Sequence, residues 1–178
     1  MHEQVITFWF KELEPKMWWK KSADMDVTIK SRFETVHAAA TKGEFYSWRQ
    51  SAHGALAEVI VLDQFSRNMY RDTPLAFQFD STALVLSQIA IDKGYDKTLL
   101  DTERLFLYMP FMHSESALIH EQAVTLFTDL GLEENLKYEF AHKKIIDRFG
   151  RYPHRNKILG RESTDEEIEF LKTPGSSF

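Results

Sequence analysis

Apolar residues recur at spacings of three and four along most of this 178-residue chain, and no segment alternates over the length that a strand needs. Residues 5–13, VITFWFKEL, read as a short aromatic helix that Pro15 ends. A second helix carries Ile29, Phe33, Val36 and Ala40 on one face, with Asp24 or Asp26 as its cap and Gly43 as its stop. Phe45, Tyr46 and Trp48 then form an aromatic corner. In a third helix, about residues 52–70, Leu56 and Ile60 start a face that arrives two turns later at Asp63 and Arg67. Leu62, Phe65 and Met69 call for burial on another side. The helix is therefore expected to be enclosed on most sides, with Asp63, Gln64, Arg67 and Asn68 partly inside. An unpaired charge is not left inside. Asp63 and Arg67 stand four apart and can pair. Either they form a structural salt bridge or they belong to a ligand site.

Thr73 is placed to cap a helix with Pro74 at its first position, striped by Ala76, Phe79, Ala83, Leu86 and Ala90 and ended by Gly94. Asp80 borders that stripe as a cap or an ion-pair partner. Residues 101–113 are helical again, and Pro110 should kink them by removing one backbone bond. His113, Ser114 and Glu115 follow, a junction that suits either a site or a cap. Ser114 or Ser116 caps the next helix, which runs to Leu130 and stops at Gly131. In the seventh helix, residues 133–149, His142 shares a face with Ile145, Ile146 and Phe149 and reads as a core histidine. Gly150 ends it. Thr164 with Glu167 makes a capping box for a last short helix to Leu171. Seven or eight helices with short loops predict an all-α fold, a single domain over residues 1–178. Successive antiparallel pairs suggest a tetratricopeptide-like stack, although no repeat with a 34-residue period is visible.

Composition narrows the chemistry. Cys is absent, which excludes disulfides, thiolate metal sites and a cysteine nucleophile. The first residues lack the pattern of a signal peptide, and eighteen apolar residues nowhere run together. A soluble, cytoplasmic protein with no membrane partner is the expectation. Charge is uneven. Residues 141–161 hold seven Lys and Arg against one acid, or +6, while the chain as a whole is −5, which leaves −11 for the rest. One basic segment on an acidic body argues against nucleic acid, which wants a broad basic face. It suits a small local anion.

The basic segment centres on residues 148–161, RFGRYPHRNKILGR, with four of the nine arginines around two glycines and a proline. Guanidinium forks match carboxylate and phosphate oxygens, and a histidine adds a donor or moves a proton near neutral pH. The candidate ligand-binding residues are Asp63, Arg67, Asn68, Arg71, Arg148, Arg151, Arg155, Asn156 and Arg161. Catalytic candidates are His113, Glu115 and His154. The competing reading has the arginines tying down their own loop through helix carbonyls and acids such as Asp63, Asp80 or Glu115. No GxGxxG, P-loop, HExxH or GxSxG is present, so no cofactor is expected. His113, Glu115, His142 and His154 match no metal spacing, and a cationic loop repels a metal; none is expected. Serine chemistry would need Ser66, Ser114 or Ser116 beside a histidine.

Three long segments, LDQFSRNMYRDTPLAFQFD, ERLFLYMPFMHSE and RFGRYPHRNKILGRESTDEEIEFL, resemble the bacterial family called domain of unknown function 924. The likeness runs nearly end to end. It implies a tetratricopeptide-like all-α fold and no established activity. The family usually has proline where Ser66 stands. Asp63, Arg67, His113, Glu115, Arg151, His154, Arg155 and Arg161 are among the matching motif positions, and no role comes with them. Three functions stay open. The first is a helical domain whose basic pocket takes a small anionic ligand or a peptide carboxylate. The second is an enzyme acting on such an anion with His113 or His154 as acid–base. The third is a protein-interaction module whose polar cluster is structural.

Overall fold

A computed structural model describes residues 1–177, and no strand occurs among them. The chain divides into two compact units. One comprises Met1–Arg71 and Leu75–Pro110; the other comprises Asp72–Pro74 and the chain from Phe111 onward. No helix among the described residues is long and apolar enough to cross a membrane.

The first unit holds α1 (His2–Thr7), α2 (Ala23–Ala40), α3 (Ala52–Ile60), α4 (Ser66–Met69), α5 (Asp80–Asp92) and α6 (Asp101–Met112) as far as Pro110. Its centre is α3, which packs against α1 and α5. Every residue from Gly54 to Phe65 is buried, so the helix is enclosed as its two apolar faces required. Gly54 is forced: a Cβ there would collide with the Trp48 carbonyl. Between α3 and α4 the helix widens into a π-turn, Val61–Phe65. Wider turns add a residue per turn, which lets Val61, Leu62 and Phe65 all reach apolar neighbours while Asp63 and Gln64 are also buried. Phe65 meets Phe8, Trp9 and Phe33.

Two boundaries differ from the sequence reading. The cap of α2 is Ser22, which accepts from the Met25 N–H, and not Asp24 or Asp26. The Asp26 carboxylate is taken instead by Arg71 in two bonds of 2.7 Å. α5 begins at Asp80 rather than after Thr73. Pro74–Ala76 forms a 3-10 turn, and the Asp80 N–H closes a tight turn onto the Phe77 carbonyl, so Ala76 and Phe79 stand outside the helix they were expected to stripe.

Several polar groups enclosed in this unit are bonded to one another. Glu58, fully buried, receives a two-bond fork from Arg49 at 2.6 and 2.7 Å. Ser66 and His37 are in contact at 2.8 Å, and the Ser66 hydroxyl donates back to the Leu62 carbonyl. With its proton committed to that carbonyl and no exposed surface, Ser66 is built as a structural group, not a nucleophile. Arg67 bonds the Asp63 carboxylate at 3.0 Å, the i,i+4 contact that the spacing predicts, and forks onto Asp80 at 2.9 and 2.8 Å.

The second unit holds α7 (Ala117–Leu130), α8 (Glu133–Phe149) and α9 (Asp165–Leu171). α7 and α8 form a helical hairpin turned at Gly131, whose φ of 77° favours glycine. Ser116 stands at the N-cap of α7, and the capping box of Thr164 and Glu167 opens α9. Ile145, Ile146 and Tyr152 form a small core closed by Phe149 and Phe170.

Arg67 serves two carboxylates, so Arg67→Ala should cost more than Asp63→Ala. Breaking a buried pair by removing one partner costs on the order of 3–5 kcal/mol. Asp63→Ala leaves the Asp80 fork standing and should fall below that range. Urea unfolding of both variants decides it; equal losses would mean that Asp80 contributes nothing.

Candidate functional site

The candidate residues fall in both units. Asp63, Arg67, Asn68 and Arg71 belong to the first, where Arg67 and Arg71 carry the ion pairs above and the Asn68 amide donates to the Gln64 carbonyl at 2.9 Å. His113, Glu115, Arg148, Arg151, His154, Arg155, Asn156 and Arg161 belong to the second. There the short Met112–Glu115 corner, the segment after α8 and the start of α9 meet.

Gly150, with φ of 69°, turns the chain out of α8 and sends Tyr152 back beneath it. Tyr152 is fully buried, and each of its polar groups is used. Its N–H donates to Glu115 at 2.7 Å, its hydroxyl donates to the Met112 carbonyl at 2.6 Å, and its carbonyl accepts from Arg161 at 3.2 Å. The hydroxyl is also 3.1 Å from Nε2 of His120. Around its ring stand His142 at 5.7 Å, His154 at 5.5 Å and the Arg155 guanidinium at 4.5 Å, centre to centre.

Three arginines of the basic segment are held by carboxylates. Arg161 forks onto Glu115 at 2.6 and 2.9 Å and reaches Asn156 at 3.0 Å. Arg151 forks onto Glu167 at 2.7 and 2.8 Å. Arg148 bonds Glu166 at 2.8 Å on the surface and lies over Phe149 and Phe170. Their neighbours in sequence are basic, but α9 and the Met112–Glu115 corner bring acids to them. Asn156, fully buried, donates to Ser163 and Glu167. Arg155 is bound in another manner: it donates to the His113 carbonyl at 3.1 Å and stacks on Tyr152.

The electrostatics follow from these contacts. Burial raises Glu115, but the bonds from Arg161 and the Tyr152 N–H, with Arg155 nearby, bring it below the ordinary carboxylate range. Arg151 holds Glu167 down to about 2. His142 donates Nδ1–H to the Tyr138 carbonyl at 2.7 Å. It is lowered to about 3, first by burial, with the positive charges of His113 and Arg155 acting in the same direction. Sequence reading missed two members of this unit, Glu139 and His120. Both are fully buried and 2.7 Å apart. Helical spacing places each on the inner face of its hairpin, the one signal that could have found them. No group of three or more metal-ligating side chains occurs among the described residues.

The architecture is thus all-helical, with a polar centre in its second unit built by one buried tyrosine. Residues 5–175 match the family described as bacterial protein of unknown function, domain of unknown function 924, and the chain belongs to that family. It is also similar to the solved structure of a protein of unknown function from Agrobacterium tumefaciens. The two are 36% identical, 96% of each chain is covered, and the TM-score is 0.92. No curated protein matches the chain.

Acid should weaken the second unit in two stages. The folded value of His142 lies below the ordinary 6.5, so the unfolded chain takes up a proton that the folded one refuses; stability falls as pH drops from about 6.5 toward 3. Glu167 is depressed from 4.5 to about 2, so its contribution is complete above 4.5 and lost as pH falls through that interval. Glu167→Gln should remove the lower stage and cost at most about 3 kcal/mol at pH 7. Denaturation of both proteins at steps from pH 7 to 3 should show converging stabilities; parallel curves would refute the assignment.

Proposed function

We propose that the second unit binds a small anion, a phosphate or a carboxylate such as a peptide terminus, at Arg155, with His113 and His154 beside it. The observation that supports this reading is the gathering of imidazoles and one guanidinium on Tyr152. His120, His142, His154 and Arg155 all lie against that side chain, and the Arg155 guanidinium bonds the backbone of His113. His142 is kept neutral first by burial, with His113 and Arg155 acting in the same direction. An anion beside this cluster would be met by donors already in place. Arg148, Arg151 and Arg161 act in this reading as the frame of the site, because carboxylates of the chain already occupy them. The same pairing favours a second reading, a cytoplasmic tetratricopeptide-like interaction module in which the whole polar cluster is structural and the helical surface takes a protein partner.

A thermal-shift series separates the two. Phosphate, citrate and chloride are compared at matched ionic strength on the wild type, Arg155→Ala and Arg155→Lys. Binding stabilises by mass action, by about 2.7 kcal/mol at a hundred times the dissociation constant. Phosphate or citrate should therefore raise the Tm of the wild type well beyond chloride, and Arg155→Lys, which keeps the charge but not the fork, should lose most of that gain. Should the three anions act alike on the wild type, the binding reading fails and the interaction module stands.

A further inference from the structure

The hairpin of α7 and α8 encloses a pair that the reading above does not use. His120 of α7 and Glu139 of α8 are both fully buried, with Nδ1 2.7 Å from Oε1. Nε2 of His120 is 2.9 Å from the Ser114 carbonyl and 3.1 Å from the Tyr152 hydroxyl. A carbonyl only accepts, so Nε2 carries a hydrogen. The Tyr152 hydroxyl has given its own hydrogen to the Met112 carbonyl, so it too accepts from Nε2. That leaves one proton to place between Nδ1 and Oε1. Placing it on nitrogen makes an imidazolium and a carboxylate. Placing it on oxygen makes a neutral acid that donates to a neutral imidazole.

The second carboxyl oxygen decides between them. Oε2 of Glu139 is buried and has no hydrogen-bond partner. In a carboxylate it would hold about half of a negative charge with nothing donating to it, which is costly in a dry interior. In a neutral acid it is a carbonyl oxygen, the cheapest polar atom to leave unbonded. The charged groups nearby do not reverse this. Lys143 on α8 and His120 itself favour the carboxylate, but burial outweighs both and raises Glu139. His142, on the same helix, is held neutral by burial and adds no charge to the pair.

We infer that Glu139 is a protonated carboxylic acid in the folded protein, and that this buried proton is a switch which fastens the Met112–Ser114 corner to the α7–α8 hairpin. The fastening runs from Glu139 to His120, from His120 to the Ser114 carbonyl and the Tyr152 hydroxyl, and from Tyr152 to the Met112 carbonyl. Loss of the proton leaves a buried carboxylate with one bare oxygen, and the hairpin must open to hydrate it. Because the folded value is raised above the ordinary 4.5, the stabilisation is complete below that pH and is lost as pH rises through the folded value. Alkali, not acid, releases the corner.

The test uses the full chain and its Glu139→Gln variant. Glutamine reproduces the neutral acid: its amide can donate to Nδ1, and it has no proton to lose. Urea unfolding between pH 6 and 9 should show the wild type losing folded-to-unfolded ratio relative to the variant. The loss should approach tenfold per pH unit wherever the unfolded chain alone is ionised there. In the wild type labelled with carbon-13 at the glutamate carboxyls, the Glu139 carbon should resonate as a protonated acid at pH 6. A Glu139 carboxyl ionised at pH 6 overturns the inference. So does an identical pH dependence in the two proteins, or a variant that cannot fold.

Discussion

The second unit depends on Tyr152 more than on any other side chain. Its hydroxyl, amide and carbonyl tie three separate stretches together: the Met112–Glu115 corner, the hairpin through His120, and the loop that ends at Arg161. Its ring is the floor on which His142, His154 and Arg155 rest. A buried hydroxyl that donates to one group and accepts from another is rigid, because rotating it breaks both bonds. The positions of the surrounding charged groups therefore inherit the precision of an apolar core.

Charge in both units is handled by one device, a planar guanidinium bridging to a carboxylate from a distant stretch. Arg49 with Glu58, Arg71 with Asp26, Arg151 with Glu167 and Arg161 with Glu115 all make two-bond forks. Each fork fixes an orientation as well as a distance, which a lysine could not do. Where such a pair is half-covered its contribution to stability is modest. Its larger role here is to set how the segments meet.

The helices were legible because their signals are local. Residues 133–149 emerge with the boundaries that the sequence implies, and so does the box of Thr164 and Glu167, because an N-cap is decided within four residues. The start of α5 was misjudged for the opposite reason. Thr73 and Pro74 have the chemistry of a helix start, but Asp80 is drawn to Arg67, and the chain turns once more before the helix begins. The basic segment was legible as an unusual concentration of charge. Its partners were not, since Glu115 and Glu167 are 46 and 16 residues from the arginines they hold. Neither was the proton between His120 and Glu139, which exists only because two helices face each other.

The π-turn at Val61–Phe65 has a consequence for how this chain tolerates change. A π-turn is an α-helix with one residue too many, so the residues on either side of it are out of phase by roughly a quarter turn. Removing a single residue there would restore an ordinary helix, and the cut would be nearly silent in helix content. It would nevertheless rotate Arg67 away from Asp80 and Arg71 away from Asp26, together with the apolar positions of α4. Substitutions in this stretch act on one side chain at a time; a change in its length acts on all of them at once. Homologous chains should therefore vary in residue type along this helix far more readily than in residue number.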